Sequence, residues 1–208
     1  MSTLHINVEM LEEDYKEQKI DQTFIDEFIK KNSDIIQYMS QTINDFQNFY
    51  KIDKEKKYFD VMEKIEALSE LKLNQLEYHS IELTIEGESF TVLGYPGEFQ
   101  QVILSLISNA QDALVSNRTE NPWIKITLST KGAKGYVRIS DNAGGIDEKI
   151  IEKVFEPYFS TKEKSGRTGL GLYISKMIIE NNMQGELSIS NQDEGSKVLI
   201  VLRREENA

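Results

Sequence analysis

The feature that most constrains this chain is a change of hydrophobic period between residues 50 and 60. Over residues 24 to 50, apolar side chains stand at Ile25, Ile29, Ile36, Met39, Ile43, Phe46 and Tyr50, with Asn32 in the one gap of a 4-3-4-3 spacing. That spacing is a heptad seam and predicts a long helix facing other helices. Leu4, Val8, Leu11 and Tyr15 repeat it, and the polar stretch 16–22 separates the two, so a helical hairpin is expected, with Asp21 or Thr23 capping its second helix. A two-helix hairpin cannot bury its seam alone, which points to pairing with a second copy in a four-helix bundle. The basic-acidic run 51–57 then reads as a solvated hinge.

After the hinge the pattern alternates between the two other periods. Val61, Ile65, Leu68 and Leu71 predict an amphipathic helix over 60–73, and residues 81–85 and 90–93 alternate as strands across Glu86-Gly87-Glu88. Pro96 opens a helix running to about residue 116, with Phe99, Ile103, Leu106, Ile107 and Ala110 on one face. A strand pair follows over 123–130 and 136–141, then a helix from near Gly169 with Ile174, Met177 and Ile178 inward. A closing hairpin spans 186–190 and 197–202 over Asp193-Glu194-Gly195-Ser196. The expected fold is α+β: a hairpin over residues 1–52, then a two-layer sandwich over 53–208, its mixed sheet covered by helices on one face.

Composition narrows the function. The chain has no cysteine, which removes disulfides, thiolate zinc sites and cysteine nucleophiles. Its 24 Lys and Arg against 35 Asp and Glu give −11, so a sequence-independent grip on nucleic acid or on an anionic membrane is disfavoured. No apolar run approaches membrane-spanning length and no signal peptide opens the chain, so a soluble fragment without membrane contact is expected. A polyanionic ligand would need a local basic cluster or a metal.

Three polar or glycine-rich interruptions fall at the ends of the predicted elements. Asn109 and Asp112 sit inside the helix that begins at Pro96; Asn109 borders its buried stripe, where an amide requires a partner, and helix packing alone would account for it. Asp141-Asn142-Ala143-Gly144-Gly145-Ile146 follows a strand. Its glycines would let backbone approach a ligand and its carboxylate could accept from an amine, though a tight strand-to-helix turn asks for the same glycines. Ser165-Gly166-Arg167-Thr168-Gly169-Leu170-Gly171-Leu172 leads into a helix, where main-chain amides hold phosphate. Lys162, Lys164 and Arg167 against Glu163 make the stretch 160–167 locally +2, the basic cluster that the overall charge demands.

Taken in order, Asn109-Ala110, Asp141-Asn142-Ala143-Gly144-Gly145-Ile146, Phe155-Glu156-Pro157-Tyr158-Phe159-Ser160-Thr161-Lys162 and Gly169-Leu170-Gly171-Leu172 resemble the N, G1, F and G2 boxes of sensor histidine kinases of two-component systems. The resemblance covers residues 53 to about 203. It implies the ATP-binding sandwich shared with gyrase, Hsp90 and MutL, with ATP and Mg²⁺ as ligands. By motif, Asn109 would bind the Mg²⁺ that bridges the phosphates and Asp141 would take the adenine amine, with Gly145 giving the base room and Asp112 and Ile146 beside them. Residues 160–168 would be a lid, with Lys162, Arg167 and Thr168 at the phosphates, and Gly169, Leu170 and Gly171 would present helix-end amides. The implied partners are a second copy through the hairpin and the receiver domain of a response regulator, in the cytoplasm.

Departures from the pattern carry information too. Ala143 stands where the G1 box has glycine, a change expected to narrow the pocket by one methyl. Ser105 stands where gyrase-type ATPases carry a glutamate that activates water, and a hydroxyl protonated near neutral pH is a poor general base. This weighs against the rival reading of an ATPase or serine kinase on the same fold. Neither histidine fits the acceptor pattern: His5 is followed by Ile6, with Met10 where the pattern has proline, and His79 by Ser80, with Thr84 there. The expectation is therefore a kinase fragment without its phosphoacceptor histidine, unable to phosphorylate itself.

Overall fold

The computed structural model describes residues 21–30, 32, 33, 36, 55–160 and 169–205. The first predicted helix, the seam from Met39 onward, and Lys162, Arg167 and Thr168 lie outside the described residues. Residues 22–30 are helical, and Asp21 is the cap, its Oδ1 accepting the N–H of Phe24 at 2.7 Å. On this helix Phe24 and Phe28 are half-buried and Asn32 is buried, whereas the seam residues Ile25, Ile29 and Ile36 are exposed at 39%, 58% and 55%.

Residues 55–159 with 169–205 belong to a second compact unit. It opens on β1 (Lys57–Asp60), which the hinge reading did not foresee. Tyr58 and Phe59 alternate outward and inward, and Phe59 meets the Phe99 ring at 5.4 Å, so local alternation and core contact turn the end of the charged run into a strand. Asp60 ends β1 and caps α1 (Val61–Tyr78): its Oδ1 accepts the N–H of Glu63 at 2.9 Å and the hydroxyl of Ser89 at 2.6 Å. Val61, Ile65, Leu68 and Leu76 bury the inner face of α1, which runs beyond the predicted end.

The strands over 81–85 and 90–93 form, as β2 (Glu82–Gly87) and β3 (Thr91–Gly94), but they do not pair with each other. β3 pairs antiparallel with β1, and β2 pairs parallel with β4 (Trp123–Lys131), Leu83 opposite Ile124. Close approach fixes this choice: a Cβ at Gly87, where φ is +112°, would lie 2.0 Å from the carbonyl oxygen of Leu128 on β4. β5 (Lys134–Asp141), β6 (Glu186–Gln192) and β7 (Gly195–Arg203) complete a mixed five-stranded sheet in the order β2-β4-β5-β7-β6. The predicted pairing of the 123–130 and 136–141 strands holds, with Ile126 opposite Ile139 and Leu128 opposite Val137.

Helices pack on this sheet, as expected. In α2 (Pro96–Asn117), Phe99, Val102, Ile103, Leu106, Ile107, Ala110 and Leu114 are buried, a stripe of helical period that includes every inward residue expected there. Apart from Ala110, each such side chain contributes roughly 1.5–3 kcal/mol through removal from water. α3 (Gly171–Met177) passes into a single π-helical turn over Ile178–Asn182, closed by the N–H of Met183 on the carbonyl of Ile178 at 3.0 Å. The wider turn shifts the inward face: Ile178 and Ile179 are fully buried, while Ile174 and Met177 are half-buried. Among the described residues no helix is long and apolar enough to cross a membrane.

Candidate functional site

Asp141 is the last residue of β5 and only 7% exposed. Its Oδ1 accepts the N–H of Ala143 at 2.9 Å and that of Ser196 at 3.3 Å, and its Oδ2 accepts the Ser196 hydroxyl at 2.6 Å. A carboxylate has acceptor capacity beyond these three donors, and another donor, such as an amine, could use it. Ser196 was not singled out from the sequence. Its one signal was its place in the closing turn after Gly195, where a Cβ would fall 1.7 Å from the carbonyl oxygen of Asp141. Only glycine lets the β6–β7 turn come this close.

The loop after Asp141 is tied down on several sides. Asn142 accepts the N–H of Trp123 at 2.8 Å and donates to the carbonyl of Asn121 at 3.1 Å, which anchors the loop to the start of β4. Asn117, the last residue of α2, donates to the carbonyl of Ala143 at 2.6 Å. Ala143 is 3% exposed and its methyl belongs to the hydrophobic core, so the carbon that distinguishes it from glycine is packed inside the protein. Gly144 and Gly145 have φ of +88° and +79°; a Cβ at Gly144 would meet nothing within 4 Å, whereas one at Gly145 would meet the Asn191 Oδ1 at 2.9 Å. Packing within the protein therefore requires the glycine at 145, in addition to any demand a base makes.

The α2 helix carries a polar stripe of Glu98, Gln101, Ser105, Asn109 and Asp112 at intervals of three and four residues. Glu98, at its first turn, accepts from Asn182 in the π-turn at 2.8 Å. Two buried atoms of the stripe lack a partner: Gln101 Oε1 and Asn109 Nδ2. An unsatisfied buried amide costs roughly 1–3 kcal/mol, so an Asn109 amide left unpaired suits a polar ligand that pairs with it on arrival. The same stripe meets the glycine-rich turn, since a Cβ at Gly171 would lie 2.9 Å from the Ser105 hydroxyl. Gly169, at φ +66°, backs onto the chain at Tyr158 and Phe159, where a Cβ would lie 2.6 Å from the Tyr158 carbonyl carbon.

These contacts order the candidate residues along one helix. Ser105 lies against the glycine turn 169–171, Asn109 and Asp112 follow, and Asn117 at the helix end holds the loop of Asp141 to Ile146. Ser105 and Asn117 are separated by roughly 18 Å at 1.5 Å per helical residue. Among the described residues no group of three or more His, Cys, Asp or Glu could cage a metal. The unpaired Asn109 N–H suits a phosphate oxygen, and a Mg²⁺ bound with that phosphate, which keeps several waters and takes few protein groups, would need little more than the Asn109 Oδ1.

Residues 94–206, more than half of the chain, match the family of histidine kinase-, DNA gyrase B-, and HSP90-like ATPases. The chain belongs to this family. Its relatives place it on the histidine kinase side, as an ATP-binding domain of the sensor histidine kinase type. The two-component sensor PprA of Pseudomonas aeruginosa is 34% identical over 61% of this chain, which spans 14% of that protein. The catalytic domain of histidine kinase ThkA superposes with a TM-score of 0.65 and 29% identity, covering 72% of this chain and 96% of that domain. A longer ThkA structure, solved in complex with the response regulator protein TrrA, has a TM-score of 0.67 over 97% of this chain and 57% of its own, at 22% identity. The kinase-type sandwich is therefore shared in fold and in sequence, although this chain spans only a small part of the curated sensor protein's length.

Proposed function

We propose that this ATP-binding domain, residues 53–208, holds Mg·ATP along α2 with the base at Asp141 and the phosphates toward Gly169–Gly171, and delivers the γ-phosphate to a histidine. The observation that carries this reading is the buried, unpartnered Asn109 amide between two ends already built, a fastened carboxylate loop at one and a glycine turn at the other. Asn109 would hold Mg²⁺ through its Oδ1, which leaves the unpartnered Nδ2 to donate to a phosphate oxygen, and the metal would supply the charge neutralisation that phosphoryl transfer needs and that an acidic chain lacks. Asp141 accepts the adenine amine, with Ile146 and Asp112 beside the nucleotide. Leu170 and the glycines on either side of it present main-chain amides to the phosphates, and by the motif resemblance Lys162, Arg167 and Thr168 would be further phosphate contacts. In the transfer, a histidine nitrogen forms the new P–N bond as the bond to the β-phosphate oxygen breaks and ADP leaves.

The acceptor is neither His5 nor His79, whose neighbours do not fit the acceptor pattern, so this chain does not phosphorylate itself. His79 caps α1, its ring edge-on to Tyr78 at 5.0 Å. Exposure of Ile25, Ile29 and Ile36, three of the four described seam positions, supports homodimerisation through the hairpin of residues 1–52, because exposed apolar seam residues are covered by a second copy. By analogy with the ThkA complex, the phosphate passes on to an aspartate of a response regulator receiver domain, in the cytoplasm where ATP is supplied.

Following the γ-phosphate of labelled Mg·ATP tests the reading. Label should remain on bound ATP, with none on protein, until a partner bearing the acceptor histidine is added. Rapid release of free phosphate would establish a hydrolase instead. Acid-labile label on this chain alone would make His5 or His79 the acceptor.

A further inference from the structure

The β6–β7 turn does more than close the sheet. Asn191, near the end of β6, accepts the N–H of Ile146 on Oδ1 at 2.8 Å and donates through Nδ2 to the carbonyl of the same residue at 2.7 Å. Its side-chain amide thus acts as a strand partner would, toward a loop residue 45 positions away that has no ladder of its own. The carbonyl of Glu194, in the same turn, accepts the N–H of Gly144 at 2.8 Å. Room for Asn191 exists because Gly145 lacks a Cβ, which would approach the Asn191 Oδ1 to 2.9 Å. The loop so held contains two successive glycines at positive φ, residues that lose the most conformational freedom on ordering. These three bonds restrain the main chain of that glycine pair and of Ile146.

We infer that Asn191 is a positioning residue for the nucleobase: by holding the main chain of Ile146 it keeps the loop from Asp141 to Ile146 in the one form that receives adenine, and so sets the preference for adenine over guanine nucleotides. It acts through Ile146 and does not touch the base. The inference rests on the reading of Asp141 as the base acceptor. A carboxylate with no proton to donate favours the exocyclic amine of adenine and repels the carbonyl that guanine offers there. That repulsion discriminates only while the base is confined to a single pose. A loosened loop lets guanine shift away from Asp141, so losing Asn191 weakens adenine binding and also narrows the gap between the two bases. A purely structural asparagine would lower the melting temperature and leave the ratio of affinities untouched.

The test is calorimetric titration of the wild-type chain, Asn191→Ala and Asn191→Asp with Mg·ADP and Mg·GDP, alongside thermal melts. Asn191→Ala is expected to bind Mg·ADP about tenfold more weakly and to narrow the ADP-to-GDP preference at least about threefold, with a melting temperature lowered by the loss of its two hydrogen bonds. Asn191→Asp, which keeps the acceptor for the Ile146 N–H and loses the donor to its carbonyl, is expected to fall between and serves as the readout if the alanine variant folds poorly. A wild-type ADP-to-GDP ratio in the folded variants, whatever their absolute affinity, would overturn the inference and leave the nucleotide reading standing. Failure of the wild-type chain itself to bind Mg·ADP would overturn the nucleotide reading and this inference with it.

Discussion

The two ends of the candidate site are built on opposite principles. At Asp141 the carboxylate already receives Ser196 and Ala143, and Asn142, Asn117 and Asn191 fasten the loop that follows. About two turns back along α2 from Asn117, the half-buried Asn109 has a buried amide nitrogen without a partner, and the glycine turn is shaped by close approach to Ser105 and to the chain at Phe159. One end is fastened by the protein before any ligand arrives, with acceptor capacity to spare; at the other a buried donor has no protein partner and is paired by what binds there. The contrast teaches that burial alone does not separate a structural polar residue from a ligand-binding one. At Asn109 the partnering adds what burial does not: a buried donor left unpaired at a stability cost is open to a ligand that accepts from it.

Substitutions that affect the two ends differently would sharpen or break this comparison. The largest effect is expected from Gly195→Ala, whose Cβ would fall 1.7 Å from the Asp141 carbonyl oxygen. It should cost about 3 kcal/mol of stability by forcing the β6–β7 turn away, read by denaturant unfolding, and should abolish nucleotide binding with it. Asp141→Asn should weaken Mg·ATP binding by about 2 kcal/mol, roughly thirtyfold by calorimetry, and should lower stability too, because the Ser196 hydroxyl loses a charged acceptor.

Asn109→Ala is expected to show the opposite sign in stability. Removing an unpaired buried amide should leave the melting temperature unchanged or raise stability by up to about 1 kcal/mol, while Mg·ATP affinity falls. A clear loss of stability in that variant would show that Asn109 is a packing residue and would erase the distinction drawn here. Of the two loop glycines, Gly144→Ala should have the smaller effect, because its Cβ meets open space and only the positive φ costs, about 1–2 kcal/mol. Gly145→Ala should cost more, because it adds the clash with Asn191 to the same backbone strain.

Much of the site was legible because its motifs are local. The strand ending at Asp141, the glycines after it and the polar residues of α2 follow from period and residue type, and the structure finds each in the predicted kind of element. Ser196 and Asn191 were not legible. They reach the Asp141 loop from 55 and 45 residues away, and nothing in their own neighbourhood distinguishes them from ordinary residues of a hairpin. The extra methyl at Ala143 was read as a change in the pocket, yet it points into the core, because side-chain direction along an irregular loop does not follow from spacing.

Within residues 61–203, what the sequence by itself determined is the identity of the elements: amphipathic helices and alternating strands, whose periods are set by residues within a few positions of one another. Tertiary structure alone decided which strands meet. β2 and β3 are neighbours in the chain, but β2 joins β4 in parallel and β3 joins β1, because burial of Phe59 against Phe99 and the close approach of Gly87 to Leu128 outweigh proximity in sequence. The same long-range packing brings the β6–β7 turn onto Asp141 and leaves the Asn109 amide unpaired. Partnering across the fold depends on where the chain returns, which local periodicity does not encode.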